Sequence, residues 1–396
     1  MASLPLHLLD HGSRPDAVIA AAVKAADPAT TFRVVDWPNC EAPDVIDRWD
    51  LLARHASEPN PFLEPWYLLP ALRALDPHGS ARIFLLEQGD EIIGLIPLAT
   101  QRRYYGRPIP HLAGWYHPNA FLGTPLVAVG HEARFWRALL TWLDANPAGS
   151  LFFHLADLGL DGPVYAALVE VAASDTRLGA IVHREERALL ESGDGRDAYF
   201  EASLSGKKRK ELRRQMARLG EQGKVVFERR NDERGIEQWI EAFLALEATG
   251  WKGRAGSALA LSDATSRLFR DALTGASERG RLERMALYLD DRPIAMLATF
   301  CCPPGAFSFK TAFDETYSRF SPGVLLQCEN LSVLEREDIC WSDSCAAADH
   351  PMIDHIWRER RKVGRVSLAI GGALRRTAFG LLVRAELRRQ SEGALI

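Results

Sequence analysis

What this 396-residue chain lacks narrows the field first. Its six cysteines (Cys40, Cys301, Cys302, Cys328, Cys340, Cys345) show no disulfide-framework spacing and two are adjacent, so a reduced, cytosolic setting is expected. No stretch reaches the roughly 18 uninterrupted apolar residues of a spanning helix. The nearest candidate, 366–383, is split by Arg375 and Arg376. The opening MASLPLHLLDHGSRPD has no basic region before its short apolar run, so no signal peptide is read there. A soluble or peripheral protein is the expectation. Short repeats and low-complexity tracts are absent. The x4 gaps among Cys340, Cys345, His350 and His355 match no common zinc spacing, and no metal is expected.

Charge is present but unevenly placed. Residues 205–230 carry ten Lys/Arg against three Asp/Glu, and residues 357–389 carry ten against two. With an overall net charge of −4, the remainder sums to −19. Two basic segments on an acidic body imply contact with something anionic: cofactor phosphates, nucleic acid or a lipid surface. The first segment lacks the interleaved aromatics of a single-strand nucleic-acid binder, and a solvated linker face is the plainer reading. The tail VGRVSLAIGGALRRTAFGLLVRAELRRQ mixes bulky apolar residues with six arginines and one glutamate. That composition suits a helix at an anionic membrane surface, or one packed on its own domain.

Periodicity divides the chain into two similar runs of strands and helices. ARIFLLEQGDEIIGLIPLAT (81–100) reads as a hairpin about Gly89-Asp90, and ERMALYLDDRPIAMLATFCC (283–302) as another about Asp290-Asp291. Helical spacing marks 132–144, 161–175, 205–223 and 235–248, and strands are read at 151–158, 224–229, 306–314 and 338–344. The polar stretch ESGDGRD (191–197) reads as a boundary. The expected fold is α+β, with two related tandem domains, 1–195 and 196–365, each a mixed sheet flanked by helices. A basic amphipathic tail, 366–396, follows.

The junction SRFSPGVLL (318–326) asks for an explanation. Ser321 is placed to cap a helix over 323–336, Pro322 suits its first position, and Gly323 removes a Cβ where the helix start points outward. A strand leading into free amides at a positive dipole end makes an anion site, with Arg319 as a nearby charge. Simple helix punctuation is the bland alternative.

At this point the chain resembles the GNAT-fold acyltransferases of the Fem/CelD-like type. The similar pieces are KKRKELRRQMARLGEQGKVVF, EATGWKGRAGSAL (247–259), the hairpin ending RPIAMLATF, and KTAFDETYSRFSPGVLL (310–326). The resemblance implies two fused GNAT modules and an N-acyltransferase using acyl-CoA or a related thioester. It implies that the donor's pyrophosphate sits at Arg319, Ser321, Gly323 and Val324, although a proline in that turn removes one amide donor. Some proteins of this type use aminoacyl-tRNA instead; otherwise no nucleic-acid partner is expected. A long-chain donor acylating a lipid amine, as a bacterial ceramide synthase does with a sphingoid base, is the sharpest form of the expectation.

Acyl transfer to an amine requires loss of the ammonium proton, polarisation of the thioester carbonyl and stabilisation of the leaving thiolate. His350 is the first choice for general base, with Asp343 orienting it or binding the incoming ammonium. The plainer alternative is that His350-Pro351 merely turns the chain and His355 caps a helix. Tyr317 is a candidate acid for the thiolate. Glu247 is either a base at the acceptor cleft or a solvated residue of the last helical turn. Lys252 and Arg254 either reach cofactor phosphates or stand alone at the surface. Lys310 and Asp314 share a face of the central strand. Cys345 is a nucleophile or, more simply, a semi-buried thiol, and His117 and Asn119 lie in a loop that lines the acceptor cleft or only turns.

Overall fold

The two hairpins anchor the two halves. In the computed structural model, which describes residues 30–388 and 394–395, the strands are β1 (Thr30–Asp36), β2 (Arg82–Gln88), β3 (Glu91–Gln101), β4 (His111–Gly114), β5 (Leu126–Val127), β6 (Phe152–Gly159) and β7 (Gly179–Glu191). They continue with β8 (Val225–Arg230), β9 (Leu282–Leu289), β10 (Arg292–Cys302), β11 (Gly305–Phe313), β12 (Trp341–Asp343), β13 (Glu359–Ala369) and β14 (Ala394–Leu395). β2–β3 and β9–β10 turn about residues with positive φ, Gly89 and Asp290, as tight antiparallel turns require. These strands are buried almost continuously, on both faces of the sheet.

All fourteen strands join in one sheet, whose main path is β1-β2-β3-β4-β6-β13-β7-β12-β11-β10-β9-β8. β13 lies antiparallel between β6 and β7, so a strand from late in the chain completes the sheet of the first half. A domain cut at residue 365 therefore falls inside β13. Residues 366–369 finish that strand, and the tail proper is the helix Ala373–Leu387. Val363, Val366 and Leu368 are buried in the sheet. Residues 366–369 are thus interior, so a membrane-facing run over the whole of 357–389 does not form, although Arg358 and Lys362 remain exposed.

The halves also share a core. Helix Pro65–Leu75 of the first half packs on helix Asp263–Glu278 of the second. Phe62, Trp66 and Tyr67 meet Phe300, Phe307 and Phe309 there, with centroids 4.8 Å apart for Trp66–Phe300 and 5.7 Å for Tyr67–Phe309. Each fully buried aromatic of this kind contributes about 1.5–3 kcal/mol by removal from water. The seam between the halves is therefore a packed interior, and it fixes the position of the site beside it.

Candidate active site

The site grows from the place where β11 and β12 part. They pair in parallel only over Gly305–Phe307 and Trp341–Asp343. β11 then runs on to Phe313 while β12 gives way to a loop. Beyond Phe307 that edge of β11 has no strand partner among the described residues. Its backbone groups are available to an extended ligand, as at any open strand edge.

Lys310 lies on this stretch and reaches into the first half. Its Nζ donates to Asn119 Oδ1 at 2.9 Å and sits 4.8 Å from the centre of the Phe121 ring. Burial and the neighbouring Lys252 charge push the Lys310 ammonium down to about 8. His117, in the same loop as Asn119, stacks on Tyr67 and is buried. Burial first, then Lys310, pushes His117 down to about 3, so its ring is neutral. The ring Nδ1 accepts from the Asn119 N–H at 3.3 Å, which places the ring proton on Nε2. The loop 115–125 thus meets the central strand of the second half.

Glu247 ends helix Ile236–Thr249 and is buried rather than solvated. Its Oε1 accepts from Lys252 Nζ at 2.7 Å, and its Oε2 from the Leu259 N–H at 2.8 Å. Lys252 also donates to the Thr311 carbonyl at 3.3 Å, which sets this pair against β11 beside Lys310. Gly253 makes the arrangement possible, because a Cβ there would overlap the Ala248 carbonyl oxygen. Arg254 points elsewhere and pairs with Glu315 at 2.5 Å on the surface. Asp314 lies just past β11, accepts from Arg292 at 2.6 Å and caps Thr316; it does not pair with Lys310.

The junction at 321 departs from expectation in two details. Ser321 adopts a left-handed backbone, φ 54°, and its side chain makes no capping bond. Pro322 does open the helix, which runs Pro322–Asn330 and continues as a 3-10 turn to Glu335. Gly323 does not face outward. A Cβ there would lie 2.7 Å from Met352 Sδ and 3.2 Å from a Phe313 ring carbon, so the glycine admits Met352. Val324 and Tyr317 pack against the hydrophobic cluster beneath. Arg319 is exposed, lies over the Phe320 ring at 4.6 Å, and its carbonyl accepts from Gln215 Nε2 at 3.3 Å. Gln215 belongs to the basic helix Gly206–Gly220, which lies along the turn Glu315–Phe320. Lys210, Arg214 and Arg218 of that helix are exposed, in keeping with a solvated basic face, and its contact with the turn runs through Gln215.

The expected pair of Asp343 with His350 does not form. Asp343 is fully buried: its Oδ2 accepts from Arg187 Nη2 at 2.6 Å and Arg361 Nη1 at 2.9 Å, and its Oδ1 from the Cys345 N–H at 2.9 Å. Burial alone would raise its pKa, but the two guanidinium groups hold it below the usual carboxylate range. The three residues tie β12, β7 and β13 together. Asp343 is thereby a positioning residue of the seam. His350 closes its own turn, its Nδ1 accepting from the Met352 N–H at 3.4 Å, while burial and the Lys252 charge depress its pKa. Asp354 pairs with Arg360, and His355 is exposed. Burial, reinforced by Asp343, pushes the Cys345 thiol well above its ordinary value, which leaves no thiolate at neutral pH. Among the described residues no group of His, Cys, Asp or Glu is arranged to hold a metal.

The site thus joins a mixed sheet, whose parallel pair β11–β12 separates, to a helix start with Arg319 beside it. Residues 206–349 match the family described as Acetyltransferase (GNAT) domain. That segment is a GNAT-type acyltransferase domain, and the protein is an acyltransferase. FemX superposes with a TM-score of 0.52 at 10% identity, over 81% of this chain and 95% of FemX. A conserved protein of unknown function from Bacteroides thetaiotaomicron VPI-5482 superposes with a TM-score of 0.54 at 12% identity, over 82% and 97% of the two chains. At such identities the likeness is one of fold. No curated protein matches the chain.

Proposed function

We propose that the protein is an N-acyltransferase that moves an acyl group from a thioester of the acyl-CoA kind to a primary amine. The observation that carries this reading is the open edge of β11, which leads from Lys310 to a helix start bordered by Arg319 and the basic helix Gly206–Gly220. An extended, amide-bearing donor arm would pair with that edge, and its pyrophosphate would meet the amides of Gly323 and Val324 and the cations around them, since Pro322 has no N–H and the Ser321 N–H is bonded to the Ser318 carbonyl. Lys310 stands where the thioester and the amine would meet. Its neutral form would accept the proton of the incoming ammonium, and Glu247 with Lys252 would hold that end of the cleft. The half-buried Phe121 ring beside Lys310 would offer an apolar surface to a long-chain acyl group or a lipid amine of the sphingoid-base type.

The fold shared with FemX, together with the basic helix, supports a second reading in which the donor is an aminoacyl-tRNA. Thermal unfolding separates the two. Coenzyme A, acetyl-CoA and palmitoyl-CoA are added to the parent protein and to Arg319→Glu, and charged tRNA is added in parallel. A donor present at a hundredfold its dissociation constant stabilises the fold by roughly 2.7 kcal/mol. Stabilisation by coenzyme A that is lost in Arg319→Glu supports the thioester reading. Salt-sensitive stabilisation by tRNA alone replaces it with the second.

A further inference from the structure

The helix Ala373–Leu387 has two apolar faces, and only one is used inside the fold. Phe379 and Val383 pack with Tyr104, Phe152 and Val182. On the outer side Leu374 is 89% exposed and Leu381 is 66% exposed, two turns apart in line. The arginines divide in the same way. Arg375 donates to the Ser150 carbonyl and Arg376 to Asp144, which anchors the helix to the body. Arg384 and Arg388 stay exposed and form no ion pair among the described residues.

A second element, distant in sequence, extends this surface. The loop between β3 and β4 is bound to the helix through the Tyr104 hydroxyl, which donates to Glu386 at 3.0 Å. The loop presents Arg103, Tyr105 and Arg107 to solvent, with Tyr105 54% exposed. Between the two elements lies a cavity of about 270 Å³, bordered by Tyr105, Ile109, Leu382 and Ala385. Bulky apolar side chains and exposed cations on one surface, next to a recess that Arg107 and Glu386 also line, form the pattern of a helix that lies in a lipid interface.

We propose that this surface docks on an anionic lipid bilayer. Leu374, Leu381 and Tyr105 enter the boundary between headgroups and acyl chains, and Arg103, Arg107, Arg384 and Arg388 meet the lipid phosphates. Charge complementarity selects an anionic surface. The two exposed leucines select lipid over nucleic acid, since they neither stack on bases nor contact phosphate. The inference stands apart from the acyl-transfer chemistry and is tested without measuring it.

The test is co-sedimentation of the full chain with phosphatidylcholine vesicles, with and without phosphatidylglycerol, for the parent, Leu374→Asp/Leu381→Asp and Arg384→Glu/Arg388→Glu. These positions are exposed, and a thermal melt confirms that each variant folds. The parent is expected to bind the anionic vesicles and to release them as salt rises. Each arginine is worth roughly a fivefold change, so the double reversal should weaken binding at least ~25-fold. The leucine pair should lose at least ~tenfold. Three results would overturn the proposal: no binding to anionic vesicles, equal binding by all three proteins, or a change of oligomeric state in the leucine variant, which would identify a second copy as the occupant. Binding of tRNA by the parent that is lost only in the arginine variant, with the leucine variant still binding vesicles, would also overturn it.

Discussion

Replacing Asp343 by asparagine isolates one charge in the seam. The change keeps the side chain's shape and its bond from the Cys345 N–H, but leaves Arg187 and Arg361 facing a neutral group. The Arg187 side chain is 3% exposed and that of Arg361 12%. Removing one partner from a buried ion pair costs about 3–5 kcal/mol, because the remaining charge is stranded away from water. At 2–4 °C per kcal/mol, the thermal midpoint should fall by roughly 10 °C. Calorimetry and urea unfolding at neutral pH measure both quantities. The penalty should also depend on pH in one direction. The depressed pKa of Asp343 stabilises the native state above the ordinary carboxylate pKa near 4, and that contribution is lost as the pH falls through the lowered native value. Parent and variant should therefore converge in acid. Asp343→Leu combined with Arg187→Met should recover part of the loss, since well-packed apolar replacements of buried ion pairs are often tolerated. A variant as stable as the parent to within about 1 kcal/mol, yet inactive, would refute this reasoning and return Asp343 to the chemistry.

Other consequences can be checked separately. Lys310→Arg keeps the charge but cannot titrate near neutrality, so kcat should fall about 10²–10⁴-fold, and the rise of rate with pH through about 8 should disappear. His117 and His154 are both buried and both depressed to about 3, so the unfolded chain takes up protons below about pH 6.5 while the native state does not. Native stability should then drop by about 2 kcal/mol per histidine between neutrality and pH 5, read as a falling midpoint that flattens in His117→Phe/His154→Phe. Gly323→Ala places a methyl against Met352 and should cost about 1–3 kcal/mol in urea unfolding, largely restored by adding Met352→Ala. Gly253→Ala meets backbone instead of a flexible side chain, so no neighbouring side-chain truncation should rescue it.

The hairpins were legible because apolar runs broken by turn residues are local signals, and both hairpins form at the expected turns. β13 was not. Its first residues, Glu359-Arg360-Arg361-Lys362, read as a charged segment, and their role appears only once Arg361 meets Asp343 and the following valines enter the sheet. The contact of Lys310 with Asn119 joins residues 191 positions apart, a separation no local pattern records. Ser321 shows a different limit. A serine before Pro-Gly is a favourable cap by type, but the left-handed backbone imposed by the turn takes its hydroxyl out of range. The GWKGR motif was visible as a motif, yet its second glycine is explained only by the carbonyl it nearly touches.

The place of β13 has a consequence for how the chain is made. During synthesis the first 191 residues emerge with β6 and β7 waiting on either side of a missing strand, and that gap is filled only once β13, Glu359–Ala369, has been translated. Until then both strands expose unpaired backbone edges, the state most open to wrong pairing. Closure of the first half is thus timed by completion of the second, and a nascent chain stalled anywhere between them would offer quality-control proteases an unfinished sheet.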